Sequence, residues 1–209
     1  MVDTKLTGLG IITVASGNYL IYIVSDPSGT PLEKGITVDN LFAGRGISQV
    51  PLAIFFPPGE PPASGFATFD TRNQHPVMDF DAASDESTMW TGILGKHYNN
   101  NGITVTLHIT DTADTNSAHA SYWNVYFERL TAQDIDTDSF ASGIGNHVHP
   151  NGTSGIPVTC TVIFEDGEQI DNLNGGDLFR IKIARDASNA SDDWTGDAEL
   201  LGVELMETV

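Results

Sequence analysis

The sequence predicts an all-β protein: an antiparallel β-sandwich or jelly roll preceded by a short β-hairpin. Three observations carry this. Runs such as ITVTLHIT (103–110) alternate apolar and polar residues with a period of two, the mark of a strand with one face packed and one face wet. About eight such runs follow one another, separated by turns rich in Gly, Asn and Asp, the spacing of two-sheet β folds. The composition agrees, with 40% hydrophobic and only 18% charged residues among 209, enough to fill a core without disulfides or metals.

Taken in order, the first candidates are GIITVA (10–15), NYLIYIVS (18–25) and GITVDNLF (35–42). They are rich in β-branched and aromatic residues. Asp26-Pro27-Ser28-Gly29 separates the last two, with Pro presetting φ and Gly accepting a positive φ. Strands this few and short do not bury enough surface to stand alone. The stretch PPGEPPASG (57–65) holds four prolines in nine residues, a composition that favours an extended linker. The expected organisation is therefore residues 1–56, a linker over 57–65, and a sandwich over 66–209.

Within the sandwich, FATFDTRN (66–73), PVMDFDA (76–82) and TMWTGILG (88–95) supply strands. Ile103, Val105, Leu107 and Ile109 share one face of the next. Trp123, Val125 and Phe127 face inward from YWNVYFERL (122–130), as do Val158, Cys160, Val162 and Phe164 from IPVTCTVIFEDG (156–167). Phe179, Ile181 and Ile183 point inward from LFRIKIARD (178–186), with Arg180 and Lys182 outward. Leu201, Val203 and Leu205 are the expected inward set of AELLGVELME (198–207). No convincing helix is legible. Thr131–Asp138 reads as a turn and the acidic stretch 192–197 as a loop.

Charge narrows the function. Nine Lys and Arg against 28 Asp and Glu give a net charge of −19, which argues against nucleic acid and anionic membrane as partners. Residues 1–60 hold 5 acids and 3 bases, whereas residues 61–209 hold 23 and 6. The nearly neutral N-terminal part is thus the easier surface to dock on another protein. Cys160 is the single cysteine, so no disulfide forms within the chain, and its inward strand position reads as core packing. MVDTKLTGLG lacks the features of a secretory signal, and PLAIFFPP is too short to span a bilayer.

Candidate chemistry is sparse. His147 and His149 place two imidazoles on one side of an extended segment, but a zinc site needs a fuller ligand set, and a polar loop is the competing reading. Asp134, Asp136 and Asp138 have the spacing that opens a calcium loop. Ser139 and Gly145 stand at the sixth and twelfth positions, where an EF-hand needs Gly and Glu. A looser calcium loop or a solvated acidic loop remain as readings. Asp79, Asp81, Asp85 and Glu86 illustrate how many acid pairs chance supplies to such a chain, so glycoside hydrolysis has no specific signal. Neither a Gly-x-Ser-x-Gly elbow nor a phosphate-cradling glycine loop is present. Trp123 reads as core. Trp194, in DDWTGD, reads as the tryptophan most exposed and the best platform for a sugar.

A resemblance sharpens this. LTGLGIITVASGNYLIYIVSDPSGTPLEKGITVDNLF (6–42) resembles the N-terminal attachment segment of bacteriophage virion structural proteins of the tail-fibre type. In this chain the basic step of that segment is Glu33-Lys34-Gly35. DTRNQHPVMDFDAASDES (70–87), YNNNGITVTLHIT (98–110), Phe127-Glu128-Arg129 and DIDTDSFAS (134–142) resemble a β-sandwich domain of cyanophage-like structural proteins. The resemblance implies a non-enzymatic virion component without cofactors, made in the host cytoplasm. It implies a homotrimeric tail, neck or baseplate fibre docked on other virion proteins. Docking would fall to Leu20, Tyr22, Val24, Pro27, Gly29, Ile36, Val38 and Leu41. A capsid cement protein is the alternative, and a module binding host surface glycans, with Trp194 and calcium-bearing acidic loops, is the alternative from another class.

Overall fold

The computed structural model describes residues 20–24, 33–37, 50–131 and 133–208. The chain divides into two units, residues 1–48 and 49–209. In the first, β1 (Leu20–Val24) pairs antiparallel with β2 (Glu33–Thr37), with Leu20 opposite Thr37 and Val24 opposite Glu33. The expected strand at 10–15 and the docking residues Pro27, Gly29, Val38 and Leu41 lie outside the described residues.

The second unit is a two-sheet antiparallel β-sandwich. One sheet has the order β10-β7-β12-β5-β4, with β3 also on β12. Its strands are β3 (Ala53–Phe55), β4 (Thr68–Arg72), β5 (His75–Phe80), β7 (Ile103–Asp111), β10 (Val158–Phe164) and β12 (Ala198–Glu207). The other has the order β6-β11-β8-β9, from β6 (Glu86–Ile93), β11 (Leu178–Arg185), β8 (Ser121–Arg129) and β9 (Ile144–Val148). No helix among the described residues is long and apolar enough to cross a membrane.

The two-residue period explains the layers. Ile103, Val105, Leu107 and Ile109 are fully buried, and they meet Trp123, Val125 and Phe127 of the facing sheet in one core. Phe80 packs edge-on against Trp123 at 4.8 Å, and Phe127 against Phe164 at 5.0 Å. Such aromatic pairs add about 0.5–1.5 kcal/mol each beyond the area they bury. Cys160 is core, as expected, with burial pushing its thiol up to about 12.

Four features depart from the sequence reading. β3 pairs with β12 through Val203↔Phe55 and Leu205↔Ala53, and Glu60 bridges Met89. The proline-rich stretch therefore runs along the sandwich, and the division between units falls earlier, at Ser48/Gln49. β9 forms and carries His147 where the sequence reads as a polar loop, with His149 just beyond it. Glycines weaken the strand signal there: a Cβ on Gly143, just before β9, would lie 2.3 Å from the Tyr126 ring, and one on Gly145 2.6 Å from the Tyr122 ring. Only glycine leaves room for those rings at these two positions. A short 3-10 turn spans Glu168–Ile170.

The fourth departure is Leu201. β12 shifts register against β7 between Leu200 and Gly202. The extra residue of this bulge breaks the alternation, so Leu201 is not among the buried core residues and instead lines a groove.

Candidate functional site

The groove lies on the outer face of the larger sheet and encloses about 520 Å³. Each wall has a local cause. One is the β4–β5 hairpin, where Asn73 (φ 47°) and Gln74 (φ 70°) form a tight turn of two left-handed residues, the conformation that Asn adopts most readily among non-glycine residues. This turn presents Arg72, Asn73, His75 and Pro76 to the groove. The opposite wall is Gly155 and Pro157, leading into β10. Gly155 has φ +84°, and a Cβ there would lie 3.0 Å from Arg72 Nη2; glycine is needed on both counts. Thr110 and the bulged Leu201 line the groove from β7 and β12, and Phe56 and Pro57 from the segment after β3. Phe56 is 68% exposed although aromatic.

Arg72 ties the walls together. Its Nη1 donates to Glu199 Oε2 (2.7 Å) and to the Asp111 carbonyl (2.5 Å), and its Nη2 donates to Ser154 Oγ (2.9 Å). Thr110 is buried, and its hydroxyl has no protein partner among the described residues. Beside it the register sets Thr110 opposite Glu199, Glu199 opposite Asp79, and Asp79 opposite Thr68. Burial, then the charges of Asp197, Glu199, Asp70 and Glu86, push the Asp79 carboxyl up to about 6.

A mostly apolar concavity with a few fixed polar groups suits a small ligand. The ring of Phe56 and the flanks of Pro76, Pro157 and Leu201 offer apolar surface. Arg72, Asn73 and His75 offer donors, and the Asn and His offer acceptors as well. None of the ten lining residues is a carboxylate, so a pair of acids placed for bond cleavage is not part of the groove.

The residues singled out from sequence lie elsewhere. The His147 and His149 rings stand edge to face at 5.4 Å, and His149 Nδ1 is 2.7 Å from the His119 carbonyl. Asp134 accepts from the Asp136 N–H at 3.1 Å, closing a local turn, and Asp138 pairs with Arg180 Nη2 at 2.6 Å. Among the described residues no group of three or more His, Cys, Asp or Glu is arranged to hold a metal ion.

Trp194 is corrected outright: it is 2% exposed. The acids around it serve the interior. Asp192 accepts two hydrogen bonds from the fully buried Arg185, which also donates to the Trp194 and Gly196 carbonyls. Asp193 accepts from the Ala120 N–H. The acidic stretch 192–197 is a loop, as expected, and it is anchored to the interior by Asp192 and Trp194. Nearby, Asp114 accepts from His119 Nδ1 at 2.7 Å and from the Thr195 and Asn116 N–H groups. Burial works to raise that carboxyl, but the hydrogen bonds outweigh it and hold it at about 2. The arrangement stabilises a loop, with His119 raised in turn by its bond to Asp114.

Sequence reasoning missed Phe56, Arg72, His75, Thr110 and Leu201 as a group. The one local signal was the hairpin RNQH (72–75), a turn whose tight geometry brings Arg72 and His75 opposite each other.

No protein-family model matches the chain, and no curated protein matches it. Among solved structures it is similar to the K3 cleaved adhesin domain of Lys-gingipain from Porphyromonas gingivalis w83, at 14% identity over 77% of this chain and 95% of that one, with a TM-score of 0.38. It is similar to a xylan-binding module, CBM15, at 10% identity over 75% and 97% of the two chains, with a TM-score of 0.38. It is also similar to TmCBM61 in complex with β-1,4-galactotriose, at 7% identity over 64% and 71%, with a TM-score of 0.31. At these identities and scores nothing about a ligand passes from those proteins to this chain.

Proposed function

We propose that the sandwich is a non-catalytic binding module and that its groove takes a carbohydrate. The carrying observation is the exposed Phe56 ring set in an open apolar groove beside the rim of Arg72, Asn73 and His75. A sugar ring has that same division: an axial C–H face that packs on aromatic and apolar surface, and equatorial hydroxyls that need donors and acceptors. Binding, not cleavage, is the reading supported by a lining without carboxylates. The test is affinity electrophoresis through gels containing soluble polysaccharides, run beside an assay for newly released reducing ends. Retardation without release supports the proposal. Release that grows with protein concentration overturns its non-catalytic half.

A second reading concerns where such a module is displayed. The chain divides at Ser48/Gln49, and the small first unit contains the antiparallel pair β1–β2. A two-stranded pair is marginal alone and gains by completing its sheet on a partner. This favours the first unit as an attachment segment, in keeping with its resemblance to those of phage tail fibres. The proposed protein is then a virion component, a homotrimeric fibre or, alternatively, a capsid cement protein, with the sandwich facing outward. Removing residues 1–48 is expected to leave a folded sandwich that no longer enters particles. Normal incorporation of the truncated protein would contradict it.

A further inference from the structure

Resting on the carbohydrate reading of the groove, we infer that the groove selects uncharged sugars and excludes acidic ones such as uronates and sialic acids.

A groove with an arginine in its wall invites the opposite expectation, since guanidinium is the usual partner of a carboxylate. Here the charge is already spent. Arg72 is the sole Lys or Arg lining the groove. Its Nη1 lies 2.7 Å from Glu199, whose side chain is only 8% exposed. Two more of its hydrogen bonds go to the Asp111 carbonyl and Ser154 Oγ. These fix the guanidinium as a brace between the β4–β5 hairpin and the loop before β10.

Behind that neutralised pair the charge is all negative. Asp79 lies opposite Glu199 on the next strand, and its Oδ1 is buried with no partner among the described residues. Asp197, Asp70 and Glu86 act on it from β12's lead-in, β4 and β6, and their repulsion together with burial keeps its carboxyl raised. The row therefore resists even the ionisation of its own member. A ligand carboxylate placed over Arg72 would meet the same field, on a chain of net charge −19, and because the groove is open to solvent added salt screens that repulsion. The other polar side chains on the rim, Asn73 and His75, are neutral amide and imidazole groups, which suit hydroxyls and offer a carboxylate no countercharge.

The experiment is titration calorimetry of the full chain, in low and high salt, with matched probes. Lactose is paired with sialyllactose, and neutral galacto-oligosaccharides with oligogalacturonates. The expected result is at least tenfold tighter binding of the neutral member in low salt, a gap that narrows as salt rises. Glu199→Gln and, as a milder change, Asp79→Asn should each narrow it further by lowering the local negative charge. Equal or tighter binding of the acidic members that Phe56→Ala abolishes would overturn this inference and leave the carbohydrate reading standing. Binding of neither class across these and a wider neutral panel would remove the carbohydrate reading, and the inference with it.

Discussion

The two outer faces of the sandwich use similar residues to opposite ends. On the smaller sheet the exposed aromatics are covered by the protein itself. Tyr122 lies against Gly145 of β9, and Tyr126 against Gly143 just before it. Lys182 Nζ sits 4.1 Å from the centre of the Tyr126 ring and 4.8 Å from that of Phe140, and Arg180 stands over Phe140 at 5.1 Å. Arg180 is itself held by the fully buried Glu128 and by Asp138. On the larger sheet Phe56 is left bare, Leu201 is turned out by a bulge, and the arginine braces a wall without covering a ring. Rings that are already occupied offer a ligand less than a bare ring with fixed polar groups around it.

The largest effect is expected from the covered face. Arg180→Ala leaves Glu128 buried without its cation, and losing one partner of a buried pair costs about 3–5 kcal/mol. Hydrogen bonds from Gln133 and the Ser139 N–H keep the loss at the low end. Urea unfolding should show this destabilisation, while carbohydrate affinity of the folded fraction stays at the parent value. The comparison fails if affinity falls with stability.

The next effect belongs to the open face. Phe56→Ala should weaken carbohydrate binding by about tenfold or more, equivalent to ~1.4 kcal/mol. Because its ring is mostly exposed, unfolding should shift by no more than ~0.5 kcal/mol. Calorimetry and thermal melting on the same preparation separate the two.

Asp79 sharpens the contrast through pH. Its carboxyl stands at about 6 in the fold against an ordinary 3.8. The fold thus favours the protonated form, and this contribution is complete below the unfolded value and is lost as pH rises through about 6. Asp79→Asn should therefore be more stable than the parent at pH 7.5, by roughly 1–2 kcal/mol after allowing for its partial exposure. The difference should vanish near pH 4. A pH-independent difference would count against the acidic row behind the groove.

The smallest effect is that of Lys182→Ala, which removes the one ammonium shared by the Tyr126 and Phe140 rings, leaving Arg180 over Phe140, at a cost of about 0.5–1 kcal/mol. Uncovering those rings should not create a second carbohydrate site, since Tyr126 remains half-buried on Gly143.

Most strands were legible because one face of each is buried, which imposes a two-residue period on the sequence. Ile103 to Ile109 and Phe179 to Ile183 show it plainly. Where another constraint competes, the pattern fails. β9 and its approach give up β propensity at Gly145 and Gly143 to accommodate two tyrosine rings. β3 is three residues long and hemmed by prolines, too short to establish a period. Leu201 keeps the apolar character of a core residue but is displaced by the bulge. Trp194 reads as exposed because its acidic neighbours suggest solvent, whereas Asp192 is spent on the buried Arg185. The groove could not be read at all. Phe56, Arg72, Thr110, Gly155 and Leu201 come from five separate segments, and only the sheet order β10-β7-β12-β5-β4, with β3 paired on β12, brings them together.

The most direct test of the groove is backbone amide NMR of the sandwich titrated with a retained neutral oligosaccharide. The account predicts shifts concentrated at Phe56, Arg72, Asn73, His75, Thr110, Gly155 and Leu201, and their loss in Phe56→Ala. Shifts centred on Tyr126, Phe140 and Lys182, with those groove amides unmoved, would contradict it.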